Sequence, residues 1–111
     1  MATHDYYYDI VAEQVAENFV IRLHGDFDPV SAEALRRCIR DQFDDATRNI
    51  VLDCSAATYV DSSGLRVLLE ARDHAHAHGE VATVHRPSAT VRRVIEASGL
   101  DAVLIVTDPP D

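Results

Sequence analysis

Lysine and tryptophan are absent from this chain of 111 residues, and cysteine occurs only twice. All ten basic residues are therefore arginines; they face 19 acidic residues, so the formal net charge is −9. Nucleic acids and anionic lipids are held by basic surfaces. The composition therefore argues against both as partners, and we expect other proteins instead.

Long apolar runs are also missing. No stretch approaches the roughly 20 apolar residues that span a bilayer. The amino terminus, Met1-Ala2-Thr3-His4-Asp5, has neither the basic segment nor the apolar core of a secretory signal. These absences predict a cytoplasmic protein without a membrane segment.

The two cysteines, Cys38 and Cys54, lie within apolar patterns on a predicted helix and at a predicted strand end. Buried free cysteines behave as small apolar residues, and disulfides are rare in the cytoplasm. We therefore predict reduced core residues, without a disulfide or a metal site.

The hydrophobic fraction of 47% is typical of a globular protein, and this length suits one compact domain. We predict a single domain over residues 1–111. Its core is expected at about 6–106, between short flexible tails that include Asp108-Pro109-Pro110-Asp111.

Strand and helix patterns alternate along the chain. Residues 6–11 and 19–23 predict a hairpin with a loose connection over 12–18, and Gly25 is expected to end the second strand. Further strands are predicted at 50–54, which is apolar enough for burial on both faces, and at 81–85 and 103–106.

Three helices are predicted between these strands. The first begins at Asp28-Pro29, and the second begins near Ser62 and ends before Gly79. The third begins at Pro87-Ser88 and ends at Ser98-Gly99. The inward residues follow helical spacing and are Leu35, Cys38, Ile39 and Phe43, then Leu65, Leu68, Leu69, Arg72 and Ala75, then Val91, Val94 and Ile95. The alternation predicts an α/β fold with a mixed, largely parallel sheet of four to five strands.

The segment Asp61-Ser62-Ser63-Gly64-Leu65 opens the second helix and has several possible meanings. Aspartate and serine cap helices by accepting hydrogen bonds from unpaired backbone N–H groups. Capping needs only one such residue, however, and a glycine inside a helix costs about 1 kcal/mol unless a close backbone approach requires it. A role beyond capping is therefore indicated.

A hydrolytic serine is one alternative. The nucleophile turn of serine hydrolases reads Gly-x-Ser-x-Gly, and neither Ser62 nor Ser63 has a glycine two positions before it. His24 and His85 are candidate bases at strand ends, but one sequence does not define a triad. The segment also lacks the glycines and lysine of a nucleotide-binding loop. We therefore predict that the protein is not an enzyme and binds no cofactor.

A regulatory switch is the other alternative, and here four segments closely resemble, in order and spacing, the anti-sigma factor antagonist family of STAS domains. These segments are Gly25-Asp26-Phe27-Asp28, Ile50-Val51-Leu52-Asp53-Cys54, Tyr59-Val60-Asp61-Ser62-Ser63-Gly64-Leu65 and Ser98-Gly99-Leu100. The resemblance extends over residues 7–106 and implies the STAS fold.

The resemblance also implies a function. In this bacterial family the unphosphorylated antagonist binds an anti-sigma factor, which is itself a serine kinase, and a sigma factor is released. Phosphorylation ends the interaction, and a separate serine phosphatase restores it. The family's phosphoserine, directly after the aspartate, matches Ser62, and the implied partner-binding residues are Asp26, Asp28, Asp61, Ser62, Ser63, Gly64 and Leu65.

The residues alone leave the choice between the two serines open. Helical periodicity places Ser62 near the apolar stripe and Ser63 away from it, which favours Ser63. At a cap position, by contrast, Ser62 projects from the helix tip. A phosphate there would meet free N–H groups and the positive end of the helix dipole, so the fold is expected to tolerate it. We follow the resemblance and choose Ser62, with Ser63 in reserve.

The remaining features give weaker indications. His74 and His78 have the i, i+4 spacing of a metal-binding pair, but no third ligand is identifiable, and we predict no metal site. The Tyr6-Tyr7-Tyr8 run suits an edge strand. We expect a monomer, with a dimer as the alternative. A STAS subunit of another signalling assembly or of a lipid-transport complex remains the alternative function.

Overall fold

The computed structural model describes residues 7–42 and 49–108. Within them the chain forms five strands, three α-helices and one short 3₁₀ helix. In chain order these are β1 (Tyr8–Val15), β2 (Asn18–Phe27), α1 (Pro29–Gln42), β3 (Asn49–Val60), α2 (Ser62–Ala77), β4 (Ala82–His85), α3 (Ala89–Ala97), the 3₁₀ helix (Leu100–Ala102) and β5 (Ile105–Thr107). The predictions made for Tyr6, Phe43 and Pro109-Pro110-Asp111 lie outside the described residues.

The five strands form one mixed sheet in the order β1-β2-β3-β4-β5. β1 and β2 are antiparallel, and every later neighbour is parallel. Parallel neighbours need a crossover, which α1, α2 and α3 provide in turn. The predicted α/β class and largely parallel sheet are confirmed.

The helices pack on a single face of the sheet. Ile21, Leu52 and Val84 stand side by side across β2, β3 and β4, and all three are buried in the same cluster as the inner faces of the helices. Val51 and Asp53 point to the other face and are only half-buried. The prediction that β3 is covered on both faces is therefore wrong; the apolar Val51 gave the strand a pattern typical of two-sided burial.

The turn between β1 and β2 is tight. Val15 pairs with Asn18, which leaves only Ala16 and Glu17 in the turn, and Ala16 has a φ of 54°. The prediction of a loose connection is therefore wrong. The tight turn was not recognised in the sequence because it lacks the Asn-Gly or Asp-Gly pair that usually marks a two-residue hairpin.

Gly25 lies inside β2, which continues to Phe27, so the prediction that Gly25 ends the strand is also wrong. The register with β3 shifts directly after Gly25, as in a β-bulge. Its φ is 84°, and a Cβ atom there would overlap the Tyr7 carbonyl group. Glycine is therefore required by conformation and by space.

The helix boundaries agree with the sequence signals. α1 starts at Pro29 directly after Asp28, and α2 lies between Asp61 and Gly79. Ser88 caps α3 by accepting a hydrogen bond from the Val91 amide at 3.2 Å. None of the helices in residues 7–42 and 49–108 is long and apolar enough to cross a membrane.

Candidate functional site

The candidate site lies at the edge of the sheet where β2 and β3 end side by side. Their last residues, Phe27 and Val60, pair in register, and the Asp61 amide donates a hydrogen bond to the Phe27 carbonyl at 3.2 Å. α1 and α2 each begin two residues after their strand, so their first turns are neighbours. Asp28 and Asp61 therefore hold equivalent positions, each directly before a helix.

Asp61 caps α2. Its Oδ1 atom accepts hydrogen bonds from the Ser63 amide at 2.8 Å and the Gly64 amide at 3.2 Å. The capping predicted from sequence is thus present. The expectation that a phosphate on Ser62 would find these N–H groups free is wrong, because the Asp61 carboxylate already uses two of them.

Asp28 is held by the first turn of α1. Its Oδ1 atom accepts hydrogen bonds from the amides of Val30 and Ser31 at 3.0 and 3.1 Å. The Ser31 amide, acting with the Ser31 hydroxyl and the Val30 amide against the opposing effect of burial, lowers the pKa of Asp28 below its ordinary value. The carboxylate is therefore charged at neutral pH.

Asp26 is fixed between two elements. The fully buried Ser31 donates its hydroxyl hydrogen to the Asp26 carbonyl at 2.7 Å, and Thr58 on β3 donates to the Asp26 carboxylate at 2.6 Å. The structure thus places Asp26, Asp28 and Asp61 on one edge of the sheet, each held by hydrogen bonds.

Gly64 and Leu65 lie beneath this edge. Both are buried, and Leu65 belongs to the core. A Cβ atom on Gly64 would overlap Cγ2 of Val60 and stand 3.1 Å from the Phe27 carbonyl oxygen. The close approach inferred from a glycine in the first helical turn is therefore real. A contribution of either residue to partner binding, which stays a prediction, would have to act largely through the position of α2.

Ser62 and Ser63 differ in accessibility. Ser62 is exposed, whereas Ser63 is half-buried, so the order deduced from helical periodicity is wrong. The cap position is held by Asp61, and Ser62 is the first helical residue, so the premise that Ser62 is the cap is wrong although the exposure expected from it is observed. Neither hydroxyl has a hydrogen-bond partner among the described residues. A group could therefore be added to Ser62 without breaking a contact within that part of the chain.

Two exposed apolar side chains at this edge were missed by the sequence interpretation. Val30, in the first turn of α1, is 70% exposed, and Tyr59, which pairs with Asp26, is 47% exposed. We call Val30 and Tyr59 the apolar rim. Val30 lies off the buried stripe of α1, and that mismatch was the available sequence signal. Single exposed apolar side chains are common on protein surfaces, but aromatic residues such as Tyr59 are enriched at protein-binding surfaces.

A groove of about 290 Å³ separates the first turns of the two helices. Its lining residues are Pro29, Ala32, Arg36, Ser62, Ser63 and Arg66. The sequence interpretation did not single out either arginine, since only the packing of α1 against α2 brings them together.

The histidines raised as alternatives lie elsewhere. His85 shares a hydrogen bond of 2.9 Å with Thr107, and neither His85 nor His24 bonds to Ser62 or Ser63 in the described part of the chain. The rings of His74 and His78 are 4.9 Å apart. Across residues 7–42 and 49–108, no group of three or more potential ligands is placed to hold a metal ion.

The described residues form an α/β domain with a five-stranded mixed sheet and three helices on one face. At one edge of the sheet it carries two capped helix starts and the exposed Ser62. Residues 9–109 match the family model described as the STAS domain. The chain belongs to the STAS domain family.

Solved structures similar to this chain include anti-sigma factor antagonists. SpoIIAA in its unphosphorylated form is 27% identical, with a TM-score of 0.79 over 93% of this chain and 90% of that one. SpoIIAA as a Bacillus cell fate determinant in the phosphorylated form is also 27% identical, with a TM-score of 0.72 over 93% of both chains. An anti-sigma factor antagonist from Mycobacterium paratuberculosis, 23% identical, shares the fold with a TM-score of 0.82 over 96% and 90%.

Proposed function

We propose that this protein is an anti-sigma factor antagonist whose unphosphorylated form binds an anti-sigma factor and is switched off by phosphorylation of Ser62. One observation carries the proposal: Ser62 presents an exposed hydroxyl without a hydrogen-bond partner in the described part of the chain, at the tip of α2. It is supported by the similarity to SpoIIAA, which has been solved in unphosphorylated and phosphorylated forms.

The apolar rim gives the expected sign of the switch. Val30 and Tyr59 favour an apolar partner surface opposite this edge. A phosphate on Ser62 would bring about −1.5 to −2 charges into that contact, beside the carboxylates of Asp28 and Asp61. Burying so much negative charge against an apolar surface weakens association by roughly 2–5 kcal/mol. Phosphorylation would therefore release the anti-sigma factor.

The proposed partners would add and remove the phosphate. The anti-sigma factor would be a serine kinase that modifies Ser62, and a separate serine phosphatase would remove the phosphate. The antagonist itself would act as a binding module in the cytoplasm, with neither nucleic acid nor a membrane as a partner, and as a monomer.

The test is to incubate the purified protein with a candidate anti-sigma factor kinase and ATP and to map any phosphate by mass spectrometry. We expect phosphate on Ser62, and none on a Ser62→Ala variant. If Ser63 alone were modified, the assignment to Ser62 would be wrong. Phosphate on neither serine would instead favour a STAS subunit of another signalling or transport assembly.

Binding measurements complete the test. Ser62→Ala should bind the anti-sigma factor as tightly as the unmodified protein, and Ser62→Asp should bind at least tenfold more weakly. Ala89→Asp is the matched control, because Ala89 is the first residue of α3 and follows the cap Ser88, as Ser62 follows Asp61. Equal weakening by both aspartates would indicate a general charge effect and contradict the proposed interface.

A further inference from the structure

The groove between α1 and α2 contains two cations in a protein whose net charge is −9. Arg36 and Arg66 line it together with Ser62 and Ser63. The two arginines differ in what they contact, and this difference determines which of them is available to a new anion.

Arg36 already forms ion pairs with two carboxylates. Its Nε atom donates to Glu70 of α2 at 2.6 Å, and a terminal nitrogen pairs with Glu33 of α1. Hydrogen bonds from Glu70 and then Glu33 raise the pKa of Arg36. Two carboxylates therefore already neutralise this guanidinium group.

Arg66 has no ion-pair partner among the described residues. It is exposed, and its guanidinium group forms no hydrogen bond or ion pair with any residue in ranges 7–42 and 49–108. It follows Ser62 by four residues and Ser63 by three, so it is a neighbour of both on the surface of α2. An anion that precedes a cation by four residues is the favourable orientation on a helix.

The cap leaves few other groups for a phosphate on Ser62. The amides of Ser63 and Gly64 already donate to Asp61, and the Asp61 carboxylate would repel the new charge. Of the two groove cations, only Arg66 lacks a carboxylate partner in the described part of the chain.

We infer that Arg66 is the intramolecular counter-ion of a phosphate on Ser62. This inference rests on the proposed modification of Ser62 and adds its regulation. In the unmodified protein the guanidinium group of Arg66 is free for a partner, and in the phosphorylated protein it pairs with the phosphate. Phosphorylation then changes the surface in two places one helical turn apart, since it adds an anion and occupies a cation.

The experiment places phosphoserine at position 62 during translation, so that it needs no kinase. The second pKa of the phosphate is measured by ³¹P NMR titration in the otherwise unchanged protein and in Arg66→Gln, Arg66→Lys and Arg93→Gln variants. Arg93 is the matched control: it is an exposed arginine on α3, and no ion pair of Arg93 occurs among the described residues.

A nearby cation favours the dianion, so removal of Arg66 should raise the phosphate pKa. From the strength of helical i, i+4 pairs we expect an upward shift of about 0.3 pH units in Arg66→Gln. Arg66→Lys should keep most of the original value, and Arg93→Gln should leave it unchanged. Asp28, Asp61 and Arg36 also act on this phosphate, but they are the same in every variant.

Two outcomes would overturn the inference. One is an identical phosphate pKa in the unchanged protein and in Arg66→Gln. The other is an equal shift of the phosphate pKa in Arg66→Gln and Arg93→Gln, which would show that only the overall charge of the protein matters. Failure of the proposed function looks different, because a kinase would then leave Ser62 unmodified even if an installed phosphate responded to Arg66.

Discussion

Gly64 on α2 and Val60 on β3 are in such close contact that a Cβ atom on the glycine would overlap Cγ2 of the valine. The Phe27 carbonyl oxygen closes the same space at 3.1 Å from that Cβ position. The first turn of α2 therefore rests directly on the ends of β2 and β3. This contact holds the first turn of α2, which carries Ser62, close against the sheet.

Gly64→Ala should destabilise the protein even though alanine is the better helix former. In an open helix the substitution would stabilise by about 1 kcal/mol, whereas forcing a methyl group into this contact costs about 1–3 kcal/mol. We expect a net loss that urea denaturation can measure. In a double-mutant cycle, Val60→Ala should relieve part of the cost; a stabilised Gly64→Ala protein would contradict the observed contact.

Asp61→Ala should lower the free energy of unfolding by about 1 kcal/mol, since the Ser63 and Gly64 amides lose their shared acceptor. Asp61→Asn keeps a capping oxygen and should lose much less. Chemical denaturation of the two variants in parallel provides the comparison. Equal losses would mean that the charge of Asp61, and not its hydrogen bonds, stabilises α2.

Asp28 should make stability depend on pH in acid. Its pKa is lowered in the folded protein, so its contribution is complete above the unfolded value of about 3.9 and is lost as the pH falls through the folded value. Asp28→Asn retains a capping oxygen but does not titrate there. The advantage of the unchanged protein over Asp28→Asn, measured in urea, should therefore shrink from pH 7 to pH 2.5. Asp101→Asn, at an exposed aspartate without a hydrogen-bond acceptor role among the described residues, serves as the control for general charge effects.

Cys54 should resist thiol reagents until the protein unfolds. Burial, with a smaller effect of Asp53, raises its pKa to about 12, and the thiolate is the reactive form. In a Cys38→Ala variant at pH 8, labelling of Cys54 should be at least roughly a thousandfold slower than in the same variant in denaturant, where the thiol pKa is about 8.5. Mass spectrometry measures the rate of labelling. Rapid labelling of the folded variant would contradict the prediction and show that the core opens at this strand.

Local signals predicted the helices because their causes are local. The Asp28-Pro29 start, the Asp61 cap and the glycines after α2 and α3 each act within a few residues of chain. The predictions at Ala16 and Gly25 were wrong because contacts with other segments of the chain determine the backbone at these positions. The turn at Ala16 is imposed by pairing of the flanking strands. Gly25 is required because the Tyr7 carbonyl group leaves no room for a Cβ atom, a contact that the pattern of β2 alone does not reveal.

The candidate site divides in the same way. Asp61 and Ser62 were found from their place before an amphipathic helix, and the resemblance to STAS domains added Asp26 and Asp28. The exposure of Ser62 relative to Ser63 was not predictable from periodicity, because the helical wheel does not apply at the first turn. Arg66 and Arg36 escaped notice because their groove exists only where α1 packs beside α2.

Under the proposed function, the hydroxyl of Ser62, which has no hydrogen-bond partner among residues 7–42 and 49–108, would separate signalling from folding. A chemical group added there would disturb no hydrogen bond in the described part of the chain, so the two forms should share one shape and nearly one melting temperature. The two forms would then differ only in surface charge. Only a partner that binds at this edge could distinguish them, and changes at Val30 and Tyr59 could alter the partner's affinity without changes in the core.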